Sequence, residues 1–340
     1  KPTALGRSNH APACLNHKRC SRSRSRTHFP MSFQVSTASV QEFKTIVSLL
    51  LQQQGSRLRP AVNVQAFVGK AVSVVEQFGP VTAVRNSGRH SDTPLISTPQ
   101  DRRWCFPNDY DWADLIDRQD KLRMLIDPTS AYCVNGSGSL GRAMDDEIIA
   151  GFFNSNKTGE NGTIDTGLLG AWNGGSQVVP VNTGSSGNAG LNIAKLRMAK
   201  RLLLTAEVDV DNDPLYMAIT AKQHDDLLNE AQAISLDYNS TPVLVNGRIN
   251  AFMGFNFIHS ERIPGGGSFN TALNPALTVP AGQNFVPFWA KSGVCLGIWN
   301  DLEVGCDIRP DKRRAQQVFL SGTYGATRLE EKRCGYIVCA

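Results

Sequence analysis

The sequence predicts a mixed α+β fold in which helices lie mostly early in the chain and strands mostly late. Apolar residues recur at the helical spacing i, i+3, i+4 and i+7 in several early segments. From residue 284 onwards the chain is rich in strand-forming segments, with alternation of apolar and polar residues at Val318–Leu320 and Ile337–Val338. A stretch with nine glycines, 154–190, is expected to be a long loop that interrupts the chain. The 340 residues suffice for one large domain or two to three smaller ones.

Two helices are predicted near the start of the chain. The first, Ser39–Gln54, has one apolar face and meets Gly55, a common helix terminator, at its end. That face consists of Phe43, Ile46, Val47 and Leu50. The second, Ala66–Phe78, repeats the pattern more weakly and ends at Gly79 and Pro80.

The next segment, Val81–Arg103, is predicted to be an extended hairpin or a long exposed arm, because glycine and prolines interrupt an alternating pattern. It carries four arginines, Arg85, Arg89, Arg102 and Arg103. Asp109–Asp127 is rich in acidic residues and is expected to be an irregular stretch that leads into a helix. The following helix, Leu140–Phe153, would bury Ile148, Ile149, Phe152 and Phe153. Its paired acids, Asp145 and Asp146, are expected on a solvated face.

The second half of the chain contains clearer local signals. Asn192 is placed to cap the helix Asn192–Ala206. Thr220 and Gln223 have the spacing of a capping box for a helix that ends at Leu228. The predicted strands are Leu215–Ile219, Val243–Ile249 and Phe252–His259, and strand-rich segments span Asn284–Asp301 and Gln316–Val338. The stretch between them, Ile263–Leu277, is rich in glycine and proline and is expected to be a loop.

The net positive charge of the chain comes entirely from its first 30 residues. Residues 1–30 contain seven Lys or Arg and no acid, whereas the remainder holds 28 basic and 30 acidic side chains. A nucleic-acid groove across the folded body is therefore poorly supported, since phosphate binding needs clustered Lys and Arg. Two interpretations of this basic tail are open. It is either an arm that contacts nucleic acid or a segment upstream of a native start at Met31.

Two motifs match known chemical sites only in part. Gly136–Gly141 fits the G-x-G-x-x-G pattern of dinucleotide-binding loops, but the residues before it make a poor strand and a βαβ order is missing. Asp209–Asp213 resembles the start of a calcium loop. Pro214 and Thr220 stand where an EF-hand requires Gly and Glu, so a solvated turn is expected there instead.

The sequence assigns no catalytic, cofactor-binding or metal-binding residue. Four residues of metal-ligating type near the start, His10, Cys14, His17 and Cys20, lack the spacing of a zinc finger. The later histidines, His90, His224 and His259, are expected to be structural. Eight scattered cysteines indicate reduced thiols in a cytoplasm. No apolar run approaches the ~20 residues that a bilayer requires, so we expect no membrane contact.

One region resembles the late part of the major capsid proteins of tailed bacteriophages. Within Leu191–Tyr238, a helix with Lys, Arg and Leu leads to an acidic turn, a strand and a Gln-containing helix. An N-G-x-I-x-x-x-x-G-F strand and an S-x-R-I-P exit follow, carried by Asn246, Gly247, Ile249, Gly254, Phe255, Ser260, Arg262, Ile263 and Pro264. Further blocks occur in the same order, at Trp289–Val294, Asp307–Lys312 and Gly325–Lys332. Such blocks span residues 81–338 and outweigh any single short motif.

The resemblance is to the Hong-Kong-97-type fold, in the branch similar to the Salmonella-phage coat protein and the Bordetella-phage major capsid protein. It implies that the basic tail 1–30 is followed by the structural segments of that fold. These are an N-terminal arm 31–80, an extended E-loop 81–105, a peripheral domain 106–190 with a long spine helix and the Gly-rich loop, an axial domain 191–290, and closing strands 291–340 of the peripheral domain.

The function that the resemblance implies is shell assembly in the virion, after synthesis in the host cytoplasm. Subunits would form hexamers and pentamers around double-stranded DNA, which they would contact non-specifically. A cement or decoration protein, a scaffold and a portal are the further partners of such a shell, and no cofactor is expected. Two alternatives are a nucleic-acid-binding protein that uses the basic tail, and a nucleotide-dependent enzyme built on Gly136–Gly141.

Charge signs suggest where subunits meet. Rotational symmetry closes a ring through heterologous contacts, so one surface patch must meet a different patch on the next copy. The candidate contacts are the arm arginines, Arg85, Arg89, Arg102 and Arg103, against the acidic residues Asp109, Asp111 and Asp114. We expect the arginines of one subunit to face the carboxylates of its neighbour.

Overall fold

The structure, a computed structural model, describes residues 52–85, 88, 92–93, 95–117, 119, 129–167, 177–230, 244–245 and 247–340. All of these belong to the second of two units into which the chain divides, Thr45–Ala340. The helices are α1 (Thr129–Phe153), α2 (Ile193–Thr205) and α3 (Ala221–Leu228), with 3-10 turns at Arg59–Ala61, Lys291–Gly293 and Glu331–Arg333. The strands are β1 (Asn63–Ala66), β2 (Val72–Phe78), β3 (Gln100–Cys105), β4 (Asn108–Ile116), β5 (Lys157–Thr158), β6 (Ile164–Asp165), β7 (Val178–Val179), β8 (Leu215–Ile219), β9 (Leu244–Val245), β10 (Arg248–Ile249), β11 (Ala251–Phe252), β12 (Phe255–His259), β13 (Asn284–Ala290), β14 (Val294–Arg309), β15 (Ala315–Arg328) and β16 (Cys334–Cys339).

Four sheets organise the described strands, and the smallest is the antiparallel pair β10-β9. One four-stranded sheet has the order β1-β14-β15-β4, with β1 parallel to β14 and the other pairs antiparallel. A six-stranded sheet has the order β11-β12-β8-β13-β16-β7, and a second four-stranded sheet has the order β2-β3-β5-β6. The α+β class predicted from the sequence is therefore confirmed.

The main core is formed by α1, α2 and strands of the six-stranded sheet, with Phe153, Leu196, Met217 and Trp289 among its buried side chains. A smaller apolar cluster lies under the first half of α1 and contains Ile116, Leu140, Val318 and Leu320. Full burial of a large apolar side chain stabilises the fold by about 1.5–3 kcal/mol. Both clusters contain residues of α1, so this helix packs against both apolar clusters and connects them.

Most of the local signals in the second half of the chain are confirmed, but the strand predicted over Phe252–His259 is interrupted by a turn at 253–254, between β11 and β12. The Asn192 side chain accepts a hydrogen bond from the Lys195 N–H at 2.8 Å, which caps α2. The Thr220 N–H donates to Gln223 Oε1 at 3.1 Å in the capping box of α3. Strand β8 matches its prediction, and β13 to β16 overlap the two segments predicted to be strand-rich, although β14 continues past the predicted end at Asp301 to Arg309.

The helix predicted over Ala66–Phe78 is wrong, because this segment contains the end of β1 and all of β2. Three β-branched valines lie in the sequence Val-Ser-Val-Val of β2, and such side chains favour extended backbone. The pairing of β2 with β3, from Val72 opposite Cys105 to Phe78 opposite Gln100, satisfies the backbone hydrogen bonds. A long-range partner therefore overrides a weak helical pattern.

Three other expectations change. Asp109–Asp127 begins as a regular strand, β4, because its backbone pairs with β15 from Asn108 to Ile116. Helix α1 starts at Thr129, well before the predicted Leu140. The Gly-rich stretch 154–190 contains the short strands β5, β6 and β7. The helix predicted over Ser39–Gln54 lies outside the described residues except for 52–54, which are not helical.

Candidate subunit interfaces and their supporting charge network

The β2–β3 hairpin forms the base of an exposed arm. Between the two strands, the described residues of 79–99 have no regular secondary structure, and nearly all are exposed to solvent. Large apolar side chains are among them, and Leu95 is 99% exposed. The other exposed apolar side chains at the base of the arm and along it are Phe78, Val81, Val84 and Ile96. Clustered exposed apolar surface marks interaction sites, so the arm is a candidate docking element.

The arm arginines differ from one another in their surroundings. Arg85 is exposed, and Arg89 lies outside the described residues. Arg102 is exposed and forms an ion pair at 2.8 Å with Glu76 on the neighbouring strand β2. Arg103 is 4% exposed and contacts Glu331 of its own subunit at 3.5 Å. Adjacent residues of a strand point to opposite faces, so Arg102 and Arg103 cannot act as one surface pair, and Arg103 is not an exposed contact.

Two of the three predicted acidic contacts lie on an exposed sheet face. Asp109 and Asp111 point outward from β4, whereas Asp114 lies on the opposite, partly covered face. The Asp109 carboxylate accepts a hydrogen bond from the Thr323 hydroxyl at 2.7 Å. Directly opposed residues of paired strands share a face. By register, Glu303 and Asp307 of β14 lie on the same face as Asp109 and Asp111. We call these four residues the acidic face.

Asp145 of α1 holds the segment that enters the fold from the N-terminal side. Its buried carboxylate accepts hydrogen bonds from the Gln53 side chain at 2.5 Å and the Ser56 hydroxyl at 2.5 Å. The backbone N–H groups of Arg57 and Leu58 also donate to it, at 3.1 Å. One carboxylate therefore fixes the path of 53–58 across the helix. The solvated face expected for Asp145 is wrong.

The next two residues of α1 bind two other parts of the fold. Asp146 is also buried, contrary to expectation, and it accepts two hydrogen bonds from Arg262, at 2.5 and 2.6 Å. Glu147 Oε1 accepts from the Asn108 side chain at 2.6 Å and from the Tyr110 hydroxyl at 2.7 Å, both on β4. Three successive carboxylates thus join α1 to the segment 53–58, to the loop after β12 and to strand β4.

Burial raises the pKa of Glu147 above its ordinary value, although the Tyr110 and Asn108 hydrogen bonds oppose the shift. The folded state therefore binds this proton more tightly than the unfolded state. The resulting stabilisation is complete below the ordinary carboxyl pKa and is lost as the pH rises through the folded pKa. Glu147→Gln keeps the accepting oxygen but removes the titration.

We expect Glu147→Gln to gain stability relative to the unsubstituted subunit as the pH rises from about 5 to 8. Denaturant unfolding of the unassembled subunit at several pH values measures this difference. Glu303→Gln on the exposed acidic face is the matched control. A difference between Glu147→Gln and the unsubstituted subunit that stays constant over this range would contradict the assignment.

Arg328 is among the largest fully buried side chains of the described residues, and it closes the end of α1. It donates to the carbonyl oxygens of Phe152, Asn154 (2.7 Å) and Gly167 (3.1 Å). Its Nε also lies 3.5 Å from Glu331, which Arg103 contacts as well. Burial lowers the pKa of Arg328, and the nearby Glu331 opposes that shift. Arg328 lies in the segment Gly325–Lys332 that resembles capsid proteins, but the sequence alone gives no sign of its structural role.

The G-x-G-x-x-G motif lies inside α1 and has a packing role. A Cβ at Gly136 would lie 2.6 Å from the Trp112 ring, and one at Gly141 would lie 2.5 Å from the Gly55 backbone. These glycines let β4 and the incoming segment approach the helix closely. A phosphate-binding loop needs free backbone N–H groups at a helix start, which the middle of a helix does not offer.

The remaining polar motifs also have structural roles. The Asp209 side chain accepts hydrogen bonds from the N–H groups of Asp211 and Asn212, so Asp209–Asp213 is a self-bonded turn, as expected. His224 accepts from the Ile249 N–H at 3.3 Å, and His259 contacts Arg57 and Glu261. Across the described parts of the chain, no three His, Cys, Asp or Glu residues are grouped to hold a metal. His90 and the four zinc candidates lie outside those parts.

Six cysteines in the described ranges are free thiols: Cys105, Cys133, Cys295, Cys306, Cys334 and Cys339. Burial raises the pKa of Cys105, Cys295 and Cys339 to about 12, which keeps these thiols protonated and unreactive. No helix in the same ranges is long and apolar enough to cross a bilayer.

Solved capsids have a similar fold. The capsid structure of cyanophage P-SCSP1u matches with a TM-score of 0.66 at 12% identity, over 88% of this chain and 93% of that chain. The capsid asymmetric unit of cyanophage Pam1 gives a TM-score of 0.61 at 15% identity, over 91% and 99%. The capsid of a native GTA particle gives 0.60 at 16% identity, over 88% and 94%. Comparison with curated protein sequences gives no match.

The arm, the long helix and the arrangement of the sheets thus define the class of protein, a subunit with the Hong-Kong-97-like phage capsid fold. The family model described as "Phage capsid protein" matches residues 35–340. The chain therefore belongs to the phage capsid protein family, and its place is the capsid shell of the virion. The shell-forming function predicted from the resemblance is confirmed, and neither the nucleotide-dependent enzyme nor the nucleic-acid-binding alternative is favoured.

Proposed function

We propose that this chain is the major capsid subunit that assembles into hexamers and pentamers of an icosahedral head around double-stranded DNA. The observation that carries the proposal is the arm, which leaves large apolar side chains such as Leu95 in water. Burying them against another subunit removes an unfavourable exposure. Permanent interfaces of this kind often exceed ~2,000 Å², and a long arm supplies area that a compact surface lacks.

In this proposal the segment 81–105 is the E-loop, which lies over a neighbouring subunit. The N-terminal arm is 31–80, and the peripheral domain combines 106–190, including the spine helix α1, with 291–340. The axial domain is 191–290. The role is structural rather than catalytic, which is supported by the packing of the Gly136–Gly141 motif inside α1.

The other partners follow from the requirements of a shell. A scaffold, a portal and a cement or decoration protein are proposed as protein partners during and after assembly in the host cytoplasm. Packaged DNA would be contacted non-specifically. The slightly acidic balance of residues 31–340 suits a shell that must let DNA slide during packaging.

The test is assembly of the protein expressed from Met31 and from Lys1, followed by sedimentation and negative-stain electron microscopy. Rings, shells or tubes of uniform curvature are expected from both forms. A dispersed monomer that also fails to assemble with a scaffold would contradict the proposal. Nucleic-acid binding that disappears with residues 1–30 and falls steeply with salt would instead assign a function to the basic tail.

The arm has its own test. Leu95→Ser with Ile96→Ser is expected to leave the unassembled subunit as stable as before, because neither side chain is buried within it. The same change should reduce shell yield at least tenfold. Leu204→Ser, which removes a half-exposed leucine on α2, is the matched control and should assemble normally. Normal shells from the arm variant would show that the arm does not carry the interface.

A further inference from the structure

The hairpin that joins β14 to β15 ends in an exposed, positively charged turn. Arg309 is opposite Ala315, and residues 310–314 form the turn between them. Arg309 donates two hydrogen bonds to Asp311, both at 2.9 Å, which neutralises one charge of each sign. The hydrogen bond from Arg309 lowers the pKa of Asp311 to about 2, so that carboxylate stays ionised. Lys312, Arg313 and Arg314 remain, and we call them the basic tip.

The backbone of the basic tip adopts an unusual conformation. Arg313 has a φ of 51° and Arg314 a φ of 59°, in the left-handed region that favours glycine or asparagine. Side chains with a Cβ are strained there. The turn itself would form more easily with Asn or Gly at both positions. The needs of the turn therefore do not explain why arginine occupies both positions.

Within the described parts of the chain, none of the three basic-tip residues forms an ion pair. The acidic face carries the opposite charge, with Asp109, Asp111, Glu303 and Asp307. Ala315 lies eight residues along β15 from Thr323, the residue opposite Asp109. At about 3.3 Å per residue this separation is about 26 Å, too far for the tip to reach Asp109 in its own subunit. Of the acidic face, Asp307 alone lies close to the tip of the same subunit, because it is opposite Gln317, two residues from Ala315.

The arm arginines are poorer partners for the acidic face than the sequence suggested. Arg103 is buried against Glu331, and Arg102 already pairs with Glu76. The basic tip, in contrast, presents three adjacent cations on the end of a projecting hairpin. Complementary charge across an interface steers encounter and fixes register. A tip-to-face contact joins two different patches, which is the heterologous geometry that a ring of identical subunits requires.

We propose that the basic tip of one subunit binds the acidic face of a second copy of this chain. The inference deepens the proposed shell function and rests on it. It assigns the opposing partner of Asp109 and Asp111 to Lys312, Arg313 and Arg314. The interaction is electrostatic and lies at exposed positions, so it weakens as salt is raised.

Arg313→Asn combined with Arg314→Asn is the first variant. Because asparagine tolerates positive φ, the unassembled subunit should unfold at the same temperature as before or at a higher one. The subunit concentration needed for assembly should nevertheless rise at least tenfold at low salt. Arg197→Gln with Arg201→Gln removes the same charge from exposed positions on α2 and is the matched control.

Exchanging the charges of the two surfaces tests whether the partner of the basic tip is the acidic face of a second copy. Reversing the tip with Lys312→Glu, Arg313→Glu and Arg314→Glu should abolish assembly, and so should Asp111→Lys with Glu303→Lys. Combining both sets in one chain restores opposite charges between neighbouring copies and should recover shells, as in a double-mutant cycle. Recovery supports the contact directly.

Three outcomes would overturn the inference. Tip variants that assemble at the concentrations of the unsubstituted protein would show that the tip carries no contact. Failure of the combined variant, with the α2 control assembling normally, would show that the tip binds a different surface. Normal shells that retain less DNA would assign the tip to phosphate instead. If the unsubstituted protein and the α2 control also stay dispersed, the proposed shell function itself fails.

Discussion

Replacing Arg328 with alanine is expected to lower the free energy of unfolding by about 3–5 kcal/mol. The side chain is fully buried, and its guanidinium donates to the carbonyl oxygens of Phe152, Asn154 and Gly167. Alanine would leave these carbonyls in the interior without a donor, which costs about 1–3 kcal/mol for each unsatisfied group. It would also remove one of the two cations that face the buried Glu331.

The position of Arg328 explains why the effect is large. The last turn of α1 contains no basic residue, although the C-terminal end of a helix favours positive charge. Arg328 supplies that charge from β15 and ties the helix end to the loop 154–167 at the same time. Its loss therefore loosens the junction between the long helix, the sheet and the following loop.

Urea unfolding of the unassembled subunit, followed by tryptophan fluorescence, measures this effect. Arg333→Ala is the matched control, because Arg333 lies nearby with a partly exposed side chain, which pairs with Glu330 and donates to the Ser292 hydroxyl. Contacts of this kind near the surface contribute about 1 kcal/mol. Arg328→Lys should fall between the two, since one ammonium group cannot reach all the carbonyls that the guanidinium fork does. Equal stability of Arg328→Ala and Arg333→Ala would refute the role assigned to this side chain.

The elements that could be predicted from the sequence are those whose signals are local. The cap at Asn192 and the capping box of Thr220 and Gln223 need only residues three apart, and both are found. Strand β2 was mistaken for a helix because its stability comes from pairing with β3, which begins about twenty residues further along the chain. The start of α1 was placed too late because its glycines weaken the helical pattern, while the packing that requires them is not local.

Buried charge was the main feature that the sequence could not reveal. Acidic residues on a helix are normally solvated, so Asp145 and Asp146 gave no reason to expect burial. Their partners lie about ninety residues before and more than a hundred residues after them, at Ser56 and Arg262. The acidic and exposed character of Asp109 and Asp111 is visible in the sequence, but the sequence predicts an irregular stretch where the structure has strand β4. The predicted pairing of these carboxylates with the arm arginines is weakened, because Arg103 is buried and Arg102 already pairs with Glu76, and the basic tip is the partner that we propose instead.

Replacing Asp145 with asparagine is expected to release the segment 53–58 from α1 and to lower the free energy of unfolding by roughly 2–4 kcal/mol. The carboxylate is an acceptor only, and every group around it is a donor: Gln53, Ser56 and the N–H groups of Arg57 and Leu58. Asparagine has the same shape, but its NH₂ group would face donors and leave at least one buried N–H unpaired. The incoming chain would then lose its fixed path across the helix.

Trypsin reports this release directly, because Arg57 is an exposed cleavage site in the clamped segment, whereas the Arg59–Pro60 bond resists the enzyme. Cleavage after Arg57 should become at least tenfold faster in Asp145→Asn. Asp225→Asn, an exposed carboxylate on α3, is the matched control and should be cleaved at the original rate. If the proposed N-terminal arm 31–80 contacts a neighbouring subunit, shell yield should fall as cleavage becomes faster, because the segment 53–58 would no longer fix the direction of that arm. Rapid cleavage with full assembly would mean that Asp145 stabilises the subunit but does not direct the arm.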